Sequence, residues 1–283
     1  MIHDTPPPTL RPMTEHDLPA LHALTVEVGW AHRPEDWRFV TEVGEGVVAC
    51  DGAGRVIGSA MWWPFGTDFG TVGMIIVSPR LQAKGTGRRM MRWLFDRAGD
   101  RALQLNATPA GLRLYRSEGF RETGRIHQHQ GTVQPVPAAS VAGLVRPLAA
   151  EDWPRVRMLD REAFGADRSA TLDALAARSV GTAYEADGEL VGFSLCRPFG
   201  RGHVVGPIVA PDEAAAIALL QPHLEEHAGR FLRVDTPDDG AFADRLAAAG
   251  LARVDTVATM RRGDRPARQP AVRTFGLINQ ALG

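Results

Sequence analysis

The apolar and polar positions of this chain change period several times. Residues 71–77 (Thr-Val-Gly-Met-Ile-Ile-Val) form an apolar, β-branched run, which predicts a buried strand. Just beyond, Met90, Met91, Leu94, Phe95 and Ala98 recur at helical spacing, with Arg88, Arg89, Arg92, Asp96 and Arg97 on the other face. Residues 102–107 predict the next parallel strand. Thr108 and Pro109 then open another helix, threonine as N-cap and proline in the first turn, which runs through Tyr115 and stops at Gly119-Phe120. Upstream, residues 10–12 predict a short strand, and Leu21, Leu24 and Val26 a capped helix. Asp51-Gly52 supplies the turn of a hairpin that ends at Gly58.

Much of this pattern occurs twice. Arg11-Pro12 returns as Arg146-Pro147, Asp51-Gly52 as Asp187-Gly188, and Pro64-Phe65-Gly66 as Pro198-Phe199-Gly200. Val77-Ser78-Pro79 returns as Val209-Ala210-Pro211, and Gly119-Phe120 as Gly250-Leu251. The offsets lie between 131 and 136 residues, which implies two copies of one fold. Each copy reads strand, helix pair, antiparallel strands, strand, helix, strand, helix, strand. The expected fold is therefore α+β (a mixed α/β sheet), in two tandem domains, each a central mixed sheet flanked by helices. Residues 1–9, with Pro6-Pro7-Pro8, are expected to be a disordered leader. The first domain is expected over 10–133 and the second over 142–263, separated where Pro135 and Pro137 break regular structure. A tail over 264–283, helix-like from 275 to 282, is expected to pack back on the domains.

Composition narrows the function classes. A formal charge of −1 with no basic stripe argues against a nucleic-acid surface. No apolar run approaches the ~18 residues of a membrane span, and the start lacks a signal-peptide pattern. Cys50 and Cys196 are too few for a disulfide scaffold and sit in strand-like runs, so both are expected as buried thiols of a reducing, cytoplasmic compartment.

The strand-to-helix junction at residues 77–89 carries the candidate chemistry. Gly85 and Gly87 stand where the strand turns into the helix. Glycine there bares inward-pointing backbone N–H groups, and the helix start adds free donors and the positive end of its dipole. Lys84 (the only lysine of the chain), Arg88 and Arg89 add formal charge, so the junction fits a phosphate. It is no P-loop, for want of Gly-Lys-Ser/Thr, and no dinucleotide fingerprint, because Met90 replaces the third glycine. In the second copy, Asp212 and Glu213 begin the corresponding helix without a glycine. Carboxylates there cap the helix and repel phosphate, so that copy is expected to be structural.

The run Gln82-x-x-Gly85-x-Gly87 after a strand, with Leu114-Tyr115-x-x-x-Gly119-Phe120 downstream, resembles the GNAT superfamily of N-acetyltransferases. The resemblance covers about residues 10–125 and extends more weakly through the repeat. It implies transfer of an acetyl group from acetyl-coenzyme A, with no metal, to an amine. Gln82, Ala83, Lys84, Gly85, Thr86, Gly87 and Arg88 would hold the pyrophosphate. The main chain of Ile75, Ile76 and Val77 would bind the pantetheine arm, and the amide of Val77 or a neighbour would stabilise an oxyanion. Tyr115 would protonate the departing thiolate. Asn106 would bond the pantetheine or a water, or only cap the next loop.

The base and the acceptor pocket are less sharply marked. The glutamate that many family members carry on the strand at 71–77 is missing. Asp68 and Glu27 are the candidate bases, against solvated positions for each, and a water chain needs neither. Trp30, Trp62 and Trp63 could wall the acceptor; adjacent Trp62 and Trp63 face opposite ways on a strand, so one of them belongs to the core. Asp167, in the loop after the second copy's first helix, could reach the site or simply cap a helix. The expected partner is a small-molecule primary amine, in a monomer or homodimer. A coenzyme A-binding sensor without turnover and a protein or peptide acetyltransferase are the alternatives.

Overall fold

The computed structural model describes residues 7–79, 85–137, 143–265 and 270–283. The first half contains β1 (Thr9–Pro12), α1 (Leu18–Glu27), α2 (Pro34–Glu42), β2 (Glu45–Cys50), β3 (Val56–Phe65) and β4 (Phe69–Val77). It continues through α3 (Thr86–Ala98), β5 (Ala102–Ala107), α4 (Leu112–Ser117) and β6 (Arg121–Thr132). The second half repeats that order: β7 (Leu144–Pro147), α5 (Trp153–Phe164), α6 (Ser169–Ala176), β8 (Val180–Ala186), β9 (Glu189–Phe199) and β10 (Gly202–Ala210). It ends with α7 (Glu213–Glu226), β11 (Phe231–Thr236), α8 (Ala241–Ala248) and β12 (Ala252–Arg262), and a tail strand, β13 (Arg273–Gly276), comes last.

The repeated sequence marks fold into repeated devices. Arg11 clamps Asp17 at 2.6 Å while Asp17 also accepts from the Thr14 amide, turning β1 into α1. Arg146 and Asp152 do the same at 2.7 Å for β7 and α5, with the Ala149 amide in place of Thr14. Each arginine holds its carboxylate below the usual aspartate range. The helix starts differ as their residues dictate. Gly85, at φ 79, leads into α3, whereas the Asp212 carboxylate caps α7 by accepting from the Ala215 amide at 2.8 Å.

All strands of the described residues join one sheet in the order β1-β2-β3-β4-β5-β12-β6-β11-β10-β9-β8-β7, with β13 added against β10. The last strand of each half is exchanged. β12 pairs with β5, placing Thr259 opposite Asn106, and β6 pairs with β11, placing Gln130 opposite Arg233. One apolar core lies between both halves, with Leu21, Trp37 and Phe65 from the first and Leu159, Leu172 and Phe193 from the second. Burying such side chains stabilises each by about 1.5–3 kcal/mol, so this core holds the two halves together.

Two gaps interrupt the sheet's regularity. β4 and β5 run parallel only from Phe69–Thr71 against Ala102–Gln104 and then part. β10 and β11 likewise pair only at His203 and Val204 against Leu232 and Arg233. Residues 275–282 are not the expected helix. β13 fills the second gap, lying antiparallel to β10 at Ile208, Val209 and Ala210, and the Leu277 amide donates to the Asp235 carbonyl of β11 at 2.8 Å. The extended tail satisfies sheet-edge groups that a helix could not reach. Two arginines hold the last residues of the tail. Arg197 donates to the Ile278 carbonyl at 3.1 Å, and fully buried Arg168 donates to the main-chain oxygens of Leu282 and Gly283.

Candidate active site

Where β4 and β5 part, a cavity of about 280 Å³ opens. Its first wall is β4 at a bulge. Ser59 faces Ile76 and Met61 faces Gly73, so Met74 and Ile75 share a single residue of β3. Met74 takes φ 50, a strained value for a side chain with a Cβ, and the Ser59 hydroxyl holds it by donating to its carbonyl at 2.8 Å. A bulge of this kind swings main chain out of the ladder, and Gly73, Met74 and Ile75 all line the cavity.

The second wall is β5 with the start and body of α4. Asn106 donates through Nδ2 to the Gln280 carbonyl at 2.7 Å and accepts from the Thr259 hydroxyl at 2.8 Å. Tyr115 is buried, its ring over Gly111 and edge-on to Phe120 at 6.2 Å, and burial pushes its phenol up to about 12. The phenol therefore keeps its proton at any working pH.

The third wall is a loop, residues 29–32, between α1 and α2. His32 lies between Trp30 at 5.7 Å and Phe199 at 5.3 Å, ring to ring. Burial lowers it to about 4, against the pull of Asp36 and with help from Arg233 and Arg197; its Nδ1 is buried without a partner among the described residues. The imidazole is thus neutral, and Asp36 pins its loop to the second half by accepting from the Gly200 amide at 2.9 Å. The fourth wall comes from the second half and the tail, through Arg201, Phe231, Arg233 and residues 279–281.

Residues 42–122 and 156–276 each match a family model described as an acetyltransferase (GNAT) domain. The chain belongs to the GNAT superfamily of N-acetyltransferases. It is 26% identical over 275 residues to the uncharacterized N-acetyltransferase YitH of Bacillus subtilis, covering 95% of this chain and 96% of that one. The same fold occurs in a GCN5-related N-acetyltransferase from Sphaerobacter thermophilus, with a TM-score of 0.65, 18% identity and coverage of 93% and 98%. A tandem GNAT protein from the clavulanic acid biosynthesis pathway is similar at a TM-score of 0.63, with 18% identity and coverage of 92% and 100%.

In this acetyltransferase, Gln82, Ala83 and Lys84 lie outside the described residues. No described atom lies within 4 Å of where a Cβ on Gly85 would stand, and buried Thr86 keeps a hydroxyl without a partner among the described residues. Gly87 abuts Leu114, and Arg88 reaches back to Glu118 at 2.7 Å and Ser117 at 3.1 Å. Ile76 and Val77 pair with Ser59 and Gly58 beyond the bulge, so the cavity meets Ile75 but not those two.

Several expected pocket residues stand elsewhere. Asp68 is exposed at the far end of β4, where the turn into the strand keeps it in solvent. Glu27 is exposed at the end of α1 and accepts from the Ser78 hydroxyl at 3.0 Å. Trp62 and Trp63 do face opposite ways, but each is buried in a core, and Trp63 donates to the Val40 carbonyl at 2.9 Å. Asp167 caps locally, accepting from the Ser169 amide and hydroxyl at 2.9 and 2.6 Å. Only Trp30 of that set lines the cavity. His32, Phe199, Arg201 and Arg233 join it without having been singled out by motif or spacing. The repeated Pro-Phe-Gly at 198–200 is the one sequence mark near them, since it places a turn of the second half opposite the first. Among the described residues no group of three or more His, Cys, Asp or Glu could hold a metal ion.

Proposed function

We propose that this acetyltransferase moves an acetyl group from acetyl-coenzyme A to the primary amine of a small molecule by direct attack, with the coenzyme held in the first half alone. The observation that carries this reading is the contrast between the two gaps. The β4–β5 gap keeps a cavity lined by Ile75, Leu105 and Tyr115, whereas β13 fills the β10–β11 gap. The residues present fit the coenzyme. Gly85 has no described atom within 4 Å of an added Cβ, Thr86 carries a hydroxyl unpaired among the described residues, and a helix start such as that of α3 supplies free amides for a pyrophosphate. In the second half an Asp212 carboxylate takes that place.

Acetyl-coenzyme A supplies an acyl group activated as a thioester. The chain's own residues prepare the rest. The bulge at residues 73–75 holds main-chain groups rigidly toward the cavity, where a preorganised amide favours developing negative charge. Tyr115 lines the cavity and keeps its proton at Oη. Full transfer to a departing thiolate, near 8.5 for a free thiol, runs uphill, so the phenol serves as a hydrogen-bond donor to the leaving sulfur. His32 offers a neutral ring beside the acceptor. The second half and tail form one side of this small cavity, which suits a small amine better than a folded protein's terminus. Cys50 and Cys196, both buried and unbridged, fit a reducing cytoplasm.

The test is release of free thiol from acetyl-coenzyme A, with mass detection of the acetylated product across a panel of small primary amines. An amine-dependent product supports the reading. Tight coenzyme binding with no thiol release on any amine would instead favour a sensor, a role that the missing strand carboxylate leaves open.

A further inference from the structure

Two arginines, Arg201 and Arg233, line the acceptor side of the cavity. Arg201 sits in the turn between β9 and β10, is exposed, and has neither hydrogen bond nor ion pair among the described residues. Arg233, on β11, gives Nε and Nη2 to Asp235 at 3.0 Å but leaves Nη1 without a bond among those residues. Asp235 also accepts from Gln280 at 3.3 Å, so its charge is shared. Phe199 lies between Arg233 and a second, deeply buried guanidinium, Arg197, at 5.4 and 4.9 Å. Asp36, 3.9 Å from Arg197, balances that one. Among the described residues the only carboxylate in the lining is Asp255, which is exposed and accepts from the Thr256 amide.

Among the described residues Arg201 has no counter-charge, and Arg233 keeps Nη1 free beside its Asp235 pair; a neutral or cationic acceptor would leave those donors unused. An arginine fork matches a carboxylate or a phosphate, each able to accept two parallel N–H bonds. Neither arginine belongs to the α3 start, and Thr86, Gly87 and Arg88 lie outside the cavity lining. We propose that the acceptor amine also bears an anionic group, carboxylate or phosphate, which Arg201 and Arg233 bind through the second half while the first half does the chemistry. This rests on the acetyl-transfer reading given above.

The test measures binding by calorimetry in the presence of coenzyme A, with matched pairs of probes. Amino acids and ω-amino acids are compared with their methyl esters, and glucosamine 6-phosphate with glucosamine. The carboxylate and phosphate arms tell the two anions apart. At least one anionic probe should bind about tenfold more tightly than its neutral partner, and Arg201→Ala should remove that difference while leaving the neutral partner unchanged. Arg201 is exposed, so the variant keeps the fold; its melting temperature checks this. Equal binding within every pair, or an Arg201→Ala loss that is the same for charged and neutral probes, overturns the proposal. Coenzyme A binding is read in the same titrations. Its failure would sink the acetyl-transfer reading instead, so the two outcomes remain distinct.

Discussion

The side chain of Asn106 donates to the main-chain carbonyl of Gln280 at 2.7 Å, across 174 residues of sequence. The residue that family resemblance would assign to the coenzyme is thus fastened to the tail, and with Thr259 to the exchanged strand β12. Asn106→Ala should therefore lower stability without any ligand, by about 1–2 kcal/mol, since it strands a carbonyl and a hydroxyl. Thermal or urea unfolding of the ligand-free protein checks this. Unchanged stability with weakened coenzyme binding would give Asn106 to the coenzyme alone.

Tyr115 has no hydrogen-bond partner among the described residues that its loss would orphan. Tyr115→Phe should leave stability intact and coenzyme affinity unchanged while lowering kcat about a hundredfold. Because burial raises the phenol to about 12, the wild-type rate should show no tyrosine limb near pH 10. Stopped-time assays from pH 7 to 10.5 read both effects, and a fall in rate centred near 10 would contradict the buried, protonated phenol.

Arg168 and Asp160 form an ion pair at 2.8 Å that is almost wholly removed from water, and Arg168 also holds the end of the tail. Arg168→Met leaves a buried carboxylate alone and should cost about 3–5 kcal/mol. Pairing it with Asp160→Leu should recover part of the loss, though not the bonds to Leu282 and Gly283. Denaturant midpoints of the single and double variants measure the difference; equal losses in both would remove the charge argument.

Two histidines make the fold acid-sensitive. Burial lowers His32 to about 4, and burial, with His227 adding to it, lowers His223 to about 4 as well. In the unfolded chain both titrate near 6.5, so between those values the unfolded state binds more protons and stability decreases as the pH is lowered. Their contribution is complete above about 6.5 and is lost progressively toward 4. Urea unfolding at pH 7, 5.5 and 4.5 should show a steady decline, made shallower by His223→Gln. A flat profile over that window would contradict the neutral imidazoles.

The β4–α3 junction and α4 are the readable part of the sequence, because local chemistry defines them. Gly85 at positive φ, the α3 face of Met90, Met91 and Leu94, and Tyr115 on its helix all follow from short-range pattern. The doubled Arg-to-Asp clamp at 11–17 and 146–152 is visible as a repeat. What the repeat hides is which half each strand serves: β6 and β12 have equivalent patterns, so either pairing satisfies them, and only the packed sheet reveals the exchange. The tail misleads for a different reason. Phe275, Ile278 and Leu282 are spaced like a helix face, yet an open sheet gap offers backbone partners that outweigh local periodicity. Size alone makes Trp62 and Trp63 look like pocket walls, but the large core between the halves claims one of them and the α3 side claims the other.

The β4–β5 gap keeps a cavity beside the tail turn at 279–281, and β13 fills the β10–β11 gap. Calorimetric titration of the full chain with acetyl-coenzyme A tests this most directly, using wild type and Gly85→Glu. No described atom lies within 4 Å of a Cβ at that position, but φ 79 strains any residue other than glycine, so the melting temperature of the variant is read alongside. One binding site per chain in the wild type, lost in Gly85→Glu with the fold retained, is the predicted result. Two sites per chain, or undiminished binding to Gly85→Glu, would contradict it.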